Sequence, residues 1–407
     1  MIIALTWFLV LPLSLSLGYF ALEVILGLKP VKLHVAHNAS ASVVVVVPAH
    51  NEAVVVADTV RALRETLLSS TVLLLVADNC SDGTAAIARD SGATVVERND
   101  PSRRGKGFAI AFARDYLAAD PPAAVIIFDA DCRIKRGSLE ALAASALELG
   151  LPMQCVNLLE APQGASPLVL LSNFAMRVKN LVRARGLYRV GGGIPLFGTG
   201  MAFPWSIFET LDLATSDAVE DVRLSLDLAM AGVPVRLSEA VEVVSPAAPL
   251  NDSLGQRSRW EHGFLSSAIE RGLPLLFAGV ARRSRHLIAL GMHMLVPPLV
   301  LLFLISGVAA MIAFGNALVT GTWAPLLVLM LALGVALMAT FVAWVREGRD
   351  VLGLTALIKA PLYVLWKIPL YLSFFSARQT KWNRTRRSTG RMEPPAPPNP
   401  EDTRSIE

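Results

Sequence analysis

Hydrophobic runs of two lengths divide this chain. Residues 2–22 are apolar apart from short hydroxyls and are long enough to span a bilayer. From about residue 40 to 245 the runs are short and β-branched or aliphatic: Val43–Val47, Val72–Val76, Thr94–Val96 and Ala124–Phe128. The stretches between them, 53–68, 83–91 and 105–118, predict helices. Continuous apolar strands alternating with helices predict an α/β fold, a mostly parallel sheet covered on both faces. Its length suits one domain. Residues 251–285 are Arg-rich and predict amphipathic helices at a membrane interface. The runs 287–314 and 324–345, joined by a turn from Gly315-Asn316 to Thr322, predict a transmembrane hairpin over 286–346. In 347–377 the apolar pattern is broken by Lys359, Pro361, Lys367 and Pro369, which predicts interfacial or re-entrant helices. The tail, 378–407, is basic and then Pro-rich, a composition that predicts partial disorder.

Composition narrows the class. Of 407 residues 54% are hydrophobic and 17% charged, which fits a soluble domain carrying a few membrane segments. The net charge of +4 would suit a nucleic-acid binder, but much of the excess flanks apolar runs, and no basic patch is interleaved with aromatics. Lys29 and Lys32 follow the first run, Arg282, Arg283 and Arg285 precede the hairpin, and Arg346 and Arg349 follow it. By the positive-inside rule the amino terminus lies outside, and the α/β domain is cytoplasmic. The first run has neither a charged start nor a clear cleavage site after it, so residues 1–26 are expected to be an uncleaved anchor. Cys80, Cys132 and Cys155 lack metal or disulfide spacing and suit buried filler in a reducing compartment.

Polar clusters follow the strands. Asp129-Ala130-Asp131 ends the run 124–128; on extended backbone the two carboxylates project to one side, toward the crevice where open α/β sheets bind ligands. Such a pair suits a hard divalent cation that neutralises a diphosphate. The first strand stops at Pro48 and opens into Ala49-His50-Asn51-Glu52, a ligand-facing turn or a plain helix cap. The second ends in Asp78-Asn79-Cys80-Ser81-Asp82-Gly83-Thr84; Asp78 suits a base or ribose, while Asp82 suits ligand contact or a turn equally. In Arg103-Arg104-Gly105-Lys106-Gly107 the glycines let backbone and ammonium approach a phosphate. Glu220-Asp221 at a helix start could simply complement the helix dipole. Gly191-Gly192-Gly193 reads as a flexible loop, and His262 and His293 have no partners at metal spacing.

Taken in order, these segments resemble glycosyltransferase family 2, with its GT-A nucleotide-sugar fold, over residues 43–260. Phe197-Gly198-Thr199-Gly200 resembles the family's acceptor-side loop, and Val219-Glu220-Asp221 its T-E-D motif with Val in place of Thr. Gln256-Arg257-Ser258-Arg259-Trp260 matches Q-x-x-R-W, similar to membrane-bound cellulose, chitin and hyaluronan synthases. The resemblance implies a GT-A domain over 40–250. It implies that Pro48, Asn51, Glu52, Asp78, Asp82 and Lys106 line a nucleotide pocket. It further implies that Asp129 contacts nucleotide or sugar, and that Asp131, with Asp129, holds Mg²⁺ or Mn²⁺. Asp221 becomes the general base with Glu220 beside it, while Gln256, Arg259 and Trp260 serve the diphosphate and a sugar ring.

The expected function is inverting transfer of a sugar, UDP-linked, to a saccharide or lipid-linked acceptor in polysaccharide or glycolipid synthesis. The expected place is the inner membrane, with the catalytic domain cytoplasmic. Partners would be donor, acceptor and membrane, with a homo-oligomer or synthase subunits open and no nucleic acid. Single-sugar transfer to a lipid and a catalytically silent membrane scaffold are the alternatives.

Overall fold

The computed structural model describes residues 1–31, 41–217, 219–247 and 250–376; Lys32 and the tail 378–407 fall outside them. A long first helix, α1 (Ile2–Gly27), precedes the α/β domain. That domain runs β1 (Val43–Ala49), α2 (Val56–Thr66), β2 (Val72–Asp78), α3 (Thr84–Asp90), β3 (Thr94–Arg98), α4 (Lys106–Leu117), β4 (Ala124–Ile127), β5 (Arg133–Arg136), α5 (Leu139–Leu149) and β6 (Met153–Glu160). It continues with α6 (Pro167–Arg177), a π-helical turn (Val178–Arg183), α7 (Ala184–Gly191), β7 (Met201–Pro204), α8 (Trp205–Phe208), α9 (Glu220–Met230) and β8 (Arg236–Pro246). Six helices follow: α10 (Leu250–Ala281), α11 (Arg285–Leu295), α12 (Leu299–Thr320), α13 (Ala324–Glu347), α14 (Leu354–Leu357) and α15 (Ala360–Ser376).

The eight strands form one sheet in the order β3-β2-β1-β4-β7-β6-β8-β5. β3, β2, β1 and β4 are parallel, β7 runs antiparallel between β4 and β6, and β5 is an antiparallel edge on β8. The core strands are apolar throughout because both faces are covered. Val45, Val47, Leu73, Leu75 and Ile126 pack under α2 and α5, and Val44, Val46, Leu74, Val76 and Val125 under α4. The carboxyl ends of β1, β2 and β4 therefore share one edge, and Met201 pairs with Ile127, which brings the loop before β7 to the same edge.

Two strand ends differ from expectation. β1 continues through Pro48 to Ala49, which pairs with Ala77, since a proline near a strand end costs one ladder bond without ending the pairing. β4 ends at Ile127, so Asp129 and Asp131 sit in a turn rather than on extended backbone, with the Cys132 amide donating to the Asp129 carbonyl at 3.1 Å.

The helical part departs further. One continuous helix, α10, covers most of the region expected to hold separate interface helices. The reason lies in its second half, where Glu270 and Arg271 are the only charges between Phe264 and Ala281. Ile2–Gly27, Gly255–Ala281, Leu299–Thr320 and Ala324–Glu347 are four helices long and apolar enough to cross a membrane. Outward-facing Phe8, Leu15, Met311, Leu331 and Met338 give this part an apolar exterior that suits membrane association. The expected single run 287–314 is split into α11 and α12 at Val296-Pro297-Pro298, because consecutive prolines remove two helix donors. α12 runs on to Thr320 and ends at Gly321, whose φ of 70° is the left-handed helix stop, so the turn expected from Gly315 is helical. α14 and α15 fill the interrupted stretch, α15 carrying Pro369.

Gly191-Gly192-Gly193 is no loose loop. A Cβ on Gly191 would lie 2.6 Å from that of Ala289, and one on Gly193 2.4 Å from the His286 ring; the glycines let the end of α7 lie flush on α11.

Candidate active site

Two loops, at the ends of β1 and β2, form the first half of the site. Asn51, with φ 56°, accepts from the Ser81 amide at 2.7 Å, which joins the β1 loop to the β2 loop. His50 Nδ1 lies 2.7 Å from the Asp78 carbonyl oxygen and adds a second tie. Asp82 accepts from the Thr84 amide at 3.0 Å and the Ala53 amide at 3.3 Å. Glu52 is buried under these loops, its amide donating to Thr84 Oγ1 at 2.8 Å, while Pro48 is partly buried at the end of β1. Asp78, at the tip of β2, is also buried.

Lys106 links three further elements of the site. From the first turn of α4 its Nζ reaches Asp129 Oδ1 at 2.5 Å, the Gly198 carbonyl at 2.6 Å and Glu220 Oε1 at 3.6 Å. It thereby joins the turn after β4, the loop before β7 and the start of α9. Burial pulls its ammonium pKa down, but Asp129 and Glu220 outweigh that and the net shift is upward. Burial pushes the Glu220 carboxyl up to about 7 against the pull of Lys106, and raises Asp221 against Lys179 and Lys106.

Further side chains fix these groups. Thr199 Oγ1 accepts from the Asp129 amide at 3.0 Å, and buried Gln154 donates to the Thr199 carbonyl at 2.8 Å and accepts from the Phe197 amide at 2.8 Å. Ser225 Oγ donates to the Asp221 carbonyl at 2.6 Å and accepts from the Leu196 amide at 2.7 Å, tying α9 to the same loop. That loop passes Asp221 closely: a Cβ on Gly198, at φ 85°, would lie 3.4 Å from Asp221 Oδ2. Asp129, Asp131 and Cys132 each offer a ligand atom, all within 4.8 Å of one another. Burial pushes the Cys132 thiol well above its usual range, so the carboxylates are the donors at hand, and they fit a hard cation such as Mg²⁺ or Mn²⁺.

Gln256, Arg259 and Trp260 lie partly buried on the first turns of α10. One turn on from Arg259, Gly263 packs on Val219: a Cβ there would meet Val219 Cγ2 at 2.6 Å. The start of α10 therefore crosses beside the start of α9, where Glu220 and Asp221 stand. His262 is structural, with Nε2 2.8 Å from the Leu370 carbonyl oxygen, and His293 lies in the helical part.

Sequence reasoning missed Arg98, Gln154, Ser225 and Lys179. Arg98 had no signal in the sequence, since only the register of β3 on β2 sets it beside Asp78. Lys179 had none, because a π-helical turn has no recognisable pattern.

Residues 40–263 match the family model described as glycosyltransferase like family 2. Among solved structures, the chain is similar to the mannosyltransferase PcManGT from Pyrobaculum calidifontis in complex with GDP-Man and Mn²⁺. The identity is 18%, over 90% of this chain and 100% of that one, with a TM-score of 0.55. It is also similar to glucosyl-3-phosphoglycerate synthase from Mycobacterium tuberculosis in complex with Mn²⁺, UDP and glucosyl-3-phosphoglycerate (18% identity, 55% of this chain and 80% of that one, TM-score 0.37). The same synthase with Mg²⁺ and UDP is 20% identical over 56% of this chain and 79% of that one, with a TM-score of 0.38. No curated protein matches the chain. The likeness to PcManGT shows the GT-A fold, and with more than half of the 407 residues matched by the family model, the chain belongs to glycosyltransferase-like family 2.

Proposed function

We propose that this chain is a membrane-bound inverting glycosyltransferase. It moves a hexose from a UDP-linked donor to a saccharide or lipid-linked acceptor, in polysaccharide or glycolipid synthesis. Its GT-A domain works on the cytoplasmic face of the inner membrane. The observation that carries this reading is the convergence of Asp129, Glu220 and Asp221 on Lys106 at the sheet edge, beside Asp131. The mannosyltransferase that shares the fold was captured with a nucleotide sugar and Mn²⁺.

In this reading Asp129 and Asp131 hold a divalent cation, which when bound neutralises the diphosphate. Asp221 takes the proton of the acceptor hydroxyl as that oxygen attacks the anomeric carbon; its raised pKa makes it a stronger base than a free aspartate. Lys106 keeps the facing carboxylates in place and limits their mutual repulsion. Arg259 adds positive charge for the leaving diphosphate, Gln256 lies one turn earlier on α10, and Trp260 offers an apolar face to a sugar ring. Pro48, Asn51, Glu52, Asp78 and Asp82 shape the nucleotide side.

A second reading, single-sugar transfer to a lipid, is favoured by the helical part: among the described residues four helices reach spanning length, few for one copy to enclose a polymer channel. Incubating membranes with a panel of labelled nucleotide sugars and sizing the products tests both. A ladder supports synthesis of a polymer, one added sugar supports the second reading, and no metal-dependent transfer from any donor defeats both.

A further inference from the structure

Arg98 treats the two oxygens of Asp78 differently. Its Nη1 donates to Asp78 Oδ1 at 2.6 Å, and Asn79 Nδ2 donates to the same oxygen at 2.9 Å. Among the described residues Oδ2 has no hydrogen-bond partner. Arg98 cannot easily swing away. Its Nη2 also reaches Asp100 Oδ2 at 3.1 Å, its Nη1 donates to the Arg103 carbonyl at 2.8 Å, and its guanidinium lies 5.5 Å from the Phe108 ring centroid. Both side chains are nearly buried, 10% exposed for Arg98 and 7% for Asp78. Asn79, at φ 51°, closes the frame by accepting from the Asp100 amide at 2.8 Å.

The consequence is chemical. A carboxylate with both oxygens open receives two neighbouring donors as a fork, whereas one with an oxygen already taken offers a single acceptor. Guanine presents two adjacent donors, the ring N1–H and the exocyclic N2–H₂. Uracil presents one, N3–H, between two carbonyls. Against a one-acceptor Asp78, guanine would leave a donor unpaired on desolvation, and uracil would not. Resting on the proposed glycosyl transfer, we infer that Arg98 is a specificity-determining residue: as the charged donor that occupies Oδ1 together with Asn79, it makes Asp78 a single acceptor that selects a uracil nucleotide donor over a guanine one.

The test is calorimetric titration of the full-length protein in detergent with Mn²⁺, using UDP and GDP as the probes. The wild type is expected to bind UDP at least about tenfold more tightly than GDP. Arg98→Met, which leaves on Oδ1 only the neutral Asn79 amide, is expected to bring the ratio toward one, and Arg98→Lys, which keeps a charged donor, to retain most of it. A wild type that binds GDP as well as UDP overturns the inference, as does a folded Arg98→Met variant with the wild-type ratio. Should Arg98→Met fail to fold, Asp78→Asn decides: loss of the preference supports the inference and its retention defeats it. The two readings fail separately, since a protein that transfers sugar from GDP donors with dependence on Asp131 keeps the proposed function and loses this selectivity.

Discussion

Two ionic clusters in this molecule have opposite designs. At the sheet edge, Lys106 bridges Asp129 and Glu220, with Asp221 alongside, and Asp129 remains a third exposed. In the helical part, Glu23 of α1, Arg183 of the π-helical turn and His293 of α11 are almost wholly buried. There each Glu23 oxygen has its own partner, Arg183 Nε at 2.6 Å and His293 Nδ1 at 2.7 Å. The second cluster is satisfied from within. The first gathers carboxylates from several loops and keeps access to solvent, which suits a site completed by a cation and a substrate. Burial with full pairing suits architecture here, and a solvent-reachable cluster of acids with shifted pKa values suits chemistry.

The largest way to break the comparison is through the acids of the first cluster. Asp221→Ala is expected to lower turnover by about 10²–10⁴-fold, the range for a lost general base, with little change in melting temperature. Glu23→Ala should do the reverse. It strands a buried guanidinium and costs about 3–5 kcal/mol of stability, while the surviving folded fraction keeps its specific activity; thermal melting in detergent with normalised turnover reads both. Stripping divalent metal with a chelator should abolish transfer reversibly, restored by Mn²⁺ or Mg²⁺, and leave the melting of the Glu23 cluster unaltered.

Smaller effects sharpen the contrast. Ser225→Ala removes the hydroxyl between Asp221 and Leu196 and should cost about 1 kcal/mol, with turnover falling severalfold as the base loses its tether. The smallest is a pH effect. Glu220 holds its proton up to about 7 when folded, whereas a free glutamate releases it near 4.5. The folded state therefore binds the extra proton between those values, and stability falls as pH rises through that window. Glu220→Gln should flatten that fall, seen by melting the metal-free protein from pH 5 to 8. An unchanged slope would show that Glu220 does not carry it.

The sheet was legible because its strands are buried on both faces and its turns are written in Asp, Asn and Gly. The motifs after β1, β2 and β4 and at the start of α9 do come together at one edge. What stayed hidden depended on contacts between distant segments. Arg98 looks like a solvated strand end until its register beside Asp78 is known. The pairing of Glu23 with Arg183 spans 160 positions and is enabled by close backbone approach, since a Cβ on Gly186 would lie 1.9 Å from the Glu23 carbonyl oxygen. Hydropathy also misjudged the helical part: it joined α11 to α12 across Pro297-Pro298 and read α10 by its Arg-rich start rather than its apolar end.

The most direct test of the central claim is UDP release by membranes carrying the intact protein, Asp131→Ala or Asp221→Ala, with UDP-sugar, Mn²⁺ and acceptor all saturating. The account predicts robust release from the first and at most about one hundredth of that rate from either variant, each expressed at the same level. Release at the wild-type rate from either variant would contradict it.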